Sequence, residues 1–173
     1  MPAVTVTEAR DADHERLGEI CAAAYLHGDV VDAGNAYVPM LRDVAGRARD
    51  NLVLAAYLGR RPVGTVTLVG PGSEHAEVVR EGELEVRMLA VDPQAQGQGV
   101  ATALIEAAVA TARELGHEAV VLSSIEDPAA AARRYRRTGF ERAPERDWLA
   151  DWDAEALAAG TAPMVPVWRI SLR

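Results

Sequence analysis

The sequence predicts an α/β (α+β) domain in which helices flank one mixed sheet, and three observations carry that prediction. Residues 52–69 hold two apolar runs on either side of Gly59, Arg60, Arg61 and Pro62, the pattern of a β-hairpin. Residues 83–116 read as strand, glycine loop and amphipathic helix, while residues 119–139 supply a buried strand, a short loop and another helix. No internal repeat, linker or low-complexity segment divides the 173 residues, so 1–173 is expected to form a single domain.

Val4 and Val6 alternate with polar neighbours and give a first strand. Asp11 or Asp13 can cap the helix that follows, in which Leu17, Ile20, Cys21 and Ala24 recur at helical spacing until Gly28 stops it. A weaker helix pattern covers residues 35–48 around Met40, Leu41 and Val44, and the stretch from Gly70 to Gly82 reads as a mobile loop. In the strand starting at Glu83, the apolar residues Leu84, Val86 and Met88 share one parity, and the signal then moves to the other parity at Leu89 and Val91. A β-bulge near Arg87 to Leu89 would produce that shift, because one extra residue turns every later side chain to the other face. Burial of the strand end on both faces would produce it as well.

Beyond Val91, Asp92 and Pro93 comes a loop rich in Gln and Gly, followed by a helix with Val100, Leu104, Ala107, Ala108, Thr111 and Leu115 on one stripe, ended by Gly116. Ala119 to Leu122 form a buried strand, and Asp127 with Pro128 is a cap and first-turn pair for a helix over 129–137 that Gly139 closes. Phe140 begins a short strand, 144–160 is a long insertion containing Trp148 and Trp152, and Val165, Val167 and Ile170 mark a last strand.

Composition excludes several chemistries. There are 18 basic against 26 acidic residues, a net charge of −8, and every basic residue is Arg. Without Lys there is no Lys Schiff base, no Lys general base and no phosphate loop ending in Gly-Lys. The acidic balance argues against nucleic-acid binding, which depends on clustered Lys and Arg. The dense basic run, Arg133, Arg134, Arg136 and Arg137, reads mainly as a solvated helix face. The single Cys21 allows no disulfide, fits a small core residue and is consistent with a reducing compartment. No apolar run reaches 18 residues and the first residues lack a basic leader, so a cytoplasmic protein without a membrane span is expected. His14, His27, His75 and His117 are scattered without metal-ligand spacing, and no metal is expected.

The glycine loop solves the problem of binding an anion to an acidic protein. Gly97 and Gly99 run straight into a helix, so backbone N–H groups and the positive helix end are offered to a phosphate with no side-chain charge. A dinucleotide fingerprint is not met, since Gly97-Gln98-Gly99-Val100-Ala101-Thr102 lacks its third glycine and follows the fourth strand. Gln96-Gly97-Gln98-Gly99-Val100-Ala101 instead resembles, at every defined position, the coenzyme A loop of the GNAT superfamily of N-acetyltransferases: Arg or Gln, two residues, Gly, one residue, Gly or Ala. Met88 to Pro93 resembles that family's fourth strand, and Tyr135 to Phe140 resembles its tyrosine, glycine, phenylalanine motif, all in family order.

The resemblance implies a mostly antiparallel seven-stranded mixed sheet with about four helices, splayed between strands four and five where acetyl-CoA lies. It implies transfer of an acetyl group to a primary amine in a ternary complex, with a small molecule or peptide as acceptor and homodimer formation left open. A non-catalytic acyl-CoA sensor with the same fold is the other reading. Gln96, Gly97, Gln98, Gly99, Val100, Ala101 and Thr102 would hold the pyrophosphate, and Leu89, Ala90 and Val91 would pair with the pantetheine amides. Glu85 matches the family's strand-four base, with Glu83 in reserve, and Tyr135 matches the group that protonates the leaving thiolate. Where many members have an Asn seven residues before the tyrosine, this chain has Pro128. Tyr25, Tyr37, Trp148 and Trp152 are candidates to line the acceptor pocket, with Asp29, Asp32, Asp147, Asp151 and Asp153 favouring a cation.

Overall fold

The computed structural model describes residues 3–125 and 127–173. Its sheet runs in the order β1-β2-β3-β4-β5-β9-β6, with β1 Val4–Glu8, β2 Leu52–Leu58, β3 Arg61–Val69, β4 Glu83–Val91, β5 Ala119–Ser123, β6 Glu141–Arg142 and β9 Val167–Ser171. All pairings are antiparallel except β4 with β5, and a separate two-stranded ribbon joins β7 Trp148–Leu149 to β8 Met164–Val165. The helices are α1 His14–His27, α2 Tyr37–Arg42, α3 Val44–Arg47, α4 Val100–Glu114, α5 Pro128–Arg137 and α6 Ala154–Ala159. The weak helical pattern over 35–48 is thus two short helices, broken at Asp43, whose carboxylate caps α3 by accepting from Gly46 N–H. No helix among the described residues is long and apolar enough to cross a membrane.

The main core lies between the sheet and α4 with α5, where Leu104, Ile105, Val66, Val86 and Leu122 are buried together. Gly64 on β3 allows this approach: a Cβ there would sit 2.8 Å from Val100 Cγ1 and 3.0 Å from the Ala90 carbonyl oxygen. On the opposite face α1 and α2 cover β4 through Cys21 and Leu41, which pack on Met88 and Ala90.

β4 carries the bulge. Thr65 pairs with Ala90 and Thr67 with Arg87, so Met88 and Leu89 together oppose Val66, and Met88 has a φ of 51°. Leu84 and Val86 face the α4 side, and beyond the bulge Leu89 and Val91 do so, while Met88 and Ala90 face α1. The parity shift in the sequence is therefore a bulge, and beyond it the strand end is also packed on both faces. β4 and β5 stay paired only from Glu83–Ala119 to Glu85–Val121. Past that point the strands part, and the gap between Val86–Val91 and Leu122–Ser124 is the mouth of the site.

Candidate active site

A cavity of about 620 Å³ occupies the gap between β4 and β5. One wall is the bulged edge, with Met88, Leu89, Ala90 and Val91, and the floor is the loop into α4, with Gln96, Gly97, Gly99, Val100, Ala101 and Thr102. Gln98 alone of the expected loop residues is not on the lining. Gly99 is the residue before α4 and has a φ of 79°, a left-handed conformation that costs a residue with a Cβ roughly 1–2 kcal/mol. After the turn that Gly99 makes, the first residues of α4, whose N–H groups have no partner within the helix, line the cavity, and the positive end of a helix favours an anion.

The other wall is Leu122 to Ile125, Asp127, Ala130, Arg134 and Tyr135. Asp127 caps α5 by accepting from Ala130 N–H at 2.9 Å, so the cap carboxylate stands near where the family's Asn is absent. Of the four arginines in α5, only Arg134 lines the cavity; Arg133, Arg136 and Arg137 are exposed elsewhere. The Tyr135 ring is 3% exposed and packs on Phe140 at 6.1 Å and Trp168 at 5.7 Å, leaving it on the cavity side of the core.

A second cavity of about 380 Å³ opens beside the first. Tyr25, Val30, Val86, Met88, Ser123 and Ile125 line both, which makes their meeting point the place where two ligands would touch. All four expected aromatics line this second space: Tyr25 and Tyr37 with rings 6.0 Å apart, Trp148 and Trp152 in an edge-on pair at 5.5 Å. Burial, reinforced by the neighbouring Tyr37, pushes the Tyr25 phenol well above its ordinary value.

Its acidic groups are not those the sequence suggested, apart from Asp151. Asp147 is engaged by Arg142, which holds its carboxyl below the usual range, and it accepts from Val167 N–H; Asp153 caps α6; Asp32 accepts from Gly34 N–H. The acid that reading the sequence missed is Glu77, from the loop read as merely mobile. Burial raises the Glu77 carboxyl, partly offset by Arg87, whose Nη1 lies 3.5 Å from Glu77 Oε2. Arg87 also donates to the His75 carbonyl at 2.7 Å and to the Tyr37 hydroxyl at 3.2 Å.

Glu85 lies one layer behind this wall. It is wholly buried and lines neither cavity; Oε2 accepts from the N–H groups of Glu77, Val78 and Val79, and Oε1 has no hydrogen-bond partner. Burial raises its carboxyl despite those bonds. Glu83, the reserve, is held by Arg146 and Arg169; burial alone would raise its carboxyl, but these guanidinium bonds keep it below its ordinary value. Neither carboxylate is solvent-facing, and spacing could not have shown it, because their partners lie from 3 to 86 residues away, the charged ones of Glu83 at 63 and 86.

Cys21 is nearer the site than its place on α1 suggests, since its thiol donates to the Met88 carbonyl beneath the bulge. It lines neither cavity, and burial pushes its pKa up to about 11, which leaves an unreactive thiol. Among the described residues no group of three His, Cys, Asp or Glu side chains is arranged to hold a metal.

Strand, bulge, glycine loop and split sheet stand as the resemblance to the GNAT superfamily implies, and known proteins agree. The profile of the acetyltransferase (GNAT) family matches residues 14–140, and the chain belongs to that family. Over its full length the fold resembles yncA from Salmonella typhimurium, solved with its cofactor acetyl-CoA, at a TM-score of 0.72, 20% identity and coverage of 99% of this chain and 95% of that one. It also resembles the paia N-acetyltransferase of Thermoplasma acidophilum in complex with coenzyme A, at a TM-score of 0.65 and 14% identity, covering 98% and 99%. In sequence it is 43% identical over 72 residues to a mycothiol acetyltransferase of Geodermatophilus obscurus, a match covering 42% of this chain and 22% of that protein. The chain thus spans about a quarter or less of the length of the curated relatives it matches.

Proposed function

We propose that the protein transfers the acetyl group of acetyl-CoA directly to a primary amine, the coenzyme in the larger cavity and the amine in the smaller. The observation that carries this is the shared junction: a cofactor gap and an aromatic, acid-edged pocket meet at Val86, Met88 and Ser123. The N–H groups at the start of α4 take the pyrophosphate, Arg134 adds charge near the phosphates, and the extended backbone of Leu89 to Val91 pairs with pantetheine. The bulge at Met88 and Leu89 interrupts the ladder with β3, so a backbone N–H there is available to the oxyanion of the tetrahedral intermediate.

Tyr135 donates to the departing sulfur. A coenzyme thiol of pKa about 8.5 and a tyrosine of about 10 are close enough for such a bond to form at small cost. Cys21 is too basic and too enclosed to carry an acyl group, which favours a ternary complex over an acyl-enzyme. The four aromatics with Glu77 and Asp151 favour a cationic amine on an apolar body.

The test is thiol release from acetyl-CoA with a panel of arylalkyl amines, polyamines, aminoglycosides and peptides, with the acetylated product identified by mass. Wild-type turnover on at least one amine is expected, and Tyr135→Phe should slow it about 10- to 100-fold with coenzyme affinity retained. Coenzyme binding without turnover on any member would favour an acyl-CoA sensor instead.

A further inference from the structure

Two carboxylates sit back to back at the acceptor cavity, joined through the backbone. Glu85 Oε2 accepts from Glu77 N–H at 2.9 Å and from the N–H groups of Val78 and Val79 at 3.2 Å each, so a group wholly inside the protein pins the middle of the 70–82 loop. The Glu77 side chain turns the other way, onto the cavity, and keeps 30% of its surface. Its Oε2 accepts from the Ser123 hydroxyl at 3.3 Å, and Ser123 stands at the junction of the two cavities.

We propose that Glu77 is the carboxylate that takes the proton from the acceptor ammonium, and that Glu85 is a positioning residue which holds Glu77 at the junction. This rests on the amine-acetylation reading above. Glu85 cannot meet the amine itself: three N–H groups occupy one oxygen and protein encloses the other. A primary amine of pKa about 10.4 is roughly 99.9% protonated at pH 7, so a base is required. Glu77 accepts one proton from the ammonium. The neutral nitrogen then attacks the thioester carbonyl, forming the C–N bond and the tetrahedral oxyanion, whose collapse breaks the C–S bond; the second proton lost by nitrogen goes to the thiolate by way of Tyr135, and Glu77 returns its own to solvent.

The charged and titratable groups facing Glu77 suit this work. From β4, Arg87 attracts it at 3.5 Å, and Tyr37 of α2 shares that guanidinium. Asp151, from the insertion, repels it, as does Glu85 behind the loop, and His75 offers its carbonyl to Arg87. Burial is the largest influence and raises the Glu77 carboxyl, so its conjugate acid is closer to neutrality than that of an exposed glutamate and the base is stronger for it.

The experiment combines pH–rate profiles on the best amine of the panel with amide exchange of the loop, for wild type, Glu77→Gln, Glu77→Asp and Glu85→Gln. Glu77→Gln should lower kcat/KM by about 10²-fold, flatten the acid limb of the profile and leave acetyl-CoA affinity unchanged. Glu77→Asp should restore the limb at a reduced rate. Glu85→Gln should keep the limb, raise the amine KM and speed exchange of the 77–79 amides about tenfold, a fold-change matching one lost charged hydrogen bond. An acid limb that survives Glu77→Gln, or one lost only in Glu85→Gln, overturns the assignment of the base. Unchanged exchange in Glu85→Gln overturns the positioning role. Wild type inactive on every amine overturns the acetylation reading and the base with it, while the exchange measurement still decides whether Glu85 pins the loop.

Discussion

The two cavities, proposed above for coenzyme and acceptor, differ in what they are made of: one wall and the floor of the coenzyme side are a continuous stretch from the bulge at Met88 to the first turn of α4, facing β5 and α5, whereas the acceptor side is side chains gathered from separated segments, residues 25–40, 77, 86–88, 123–125 and 148–152. A backbone site tolerates changes of side chain and fails when a dihedral angle is forced. A side-chain site does the reverse. The difference also separates stability from function, because the acceptor side must be clamped together while the coenzyme side folds with the sheet.

The largest expected effect is therefore on the clamp. Arg146 bonds both oxygens of Glu83 and the Val78 carbonyl, tying the loop and the 144–166 insertion to β4, with its side chain only 4% exposed and that of Glu83 only 6%. Arg146→Ala leaves a buried carboxylate with one partner fewer, a loss of about 3 kcal/mol by urea unfolding at pH 7. Because the folded protein holds the Glu83 carboxyl below its ordinary value, this stabilisation is present above the unfolded-state pKa and disappears as the pH falls through the folded one. The gap between variant and wild type should narrow below about pH 4.5. An equal gap at pH 3.5 and pH 7 would remove Glu83 from the clamp.

Gly99→Val breaks the other side. Nothing lies within 4 Å of a Cβ built at Gly99, so the cost is the left-handed φ alone and not a clash. At roughly 1–2 kcal/mol, coenzyme affinity should fall about 5- to 30-fold by calorimetry, with the unfolding midpoint shifted no more than that strain requires. An unchanged affinity would show that the loop does not present its N–H groups in this conformation.

What the sequence made legible follows the same division. The glycine loop lies within a local stretch whose dihedral needs show in the residue order, and the bulge showed as a change of parity at Met88, whereas the split of the sheet and the role of Tyr135 came only through the family resemblance. That four separated aromatics share one cavity was legible, since Tyr25, Tyr37, Trp148 and Trp152 all line the smaller one. The carboxylates were not. Glu85 and Glu77 are eight positions apart across a loop with no periodicity, and which one faces the cavity depends on three backbone bonds that no spacing rule encodes. Nor could the run at 133–137 single out Arg134, because that choice depends on how α5 is rotated against β5.

Trp152→Ala tests whether the acceptor side is a side-chain site. The ring is 52% exposed and leans edge-on against Trp148, so its removal opens the cavity without hollowing the core. The amine KM should rise about 5- to 12-fold, the loss of roughly 1–1.5 kcal/mol from one half-exposed aromatic contact, with coenzyme affinity unchanged. A fall in coenzyme affinity instead would mean that the two sides are coupled.

The smallest effect is expected at the arginine proposed to stand by the coenzyme phosphates. Arg134 is half-buried on the cavity wall in the last turn of α5, where its charge adds to a field already supplied by the start of α4. A guanidinium that assists backbone donors at a solvent-screened site contributes about 0.5–1 kcal/mol, so Arg134→Gln should weaken coenzyme binding about 2- to 5-fold. The same change should flatten the salt dependence of binding, because the lost interaction is the long-range one and the N–H bonds that remain act at contact distance. Titration of coenzyme A at low and high ionic strength reads both. A loss of 100-fold or more would make Arg134 the main anchor of the phosphates and the coenzyme side a side-chain site after all.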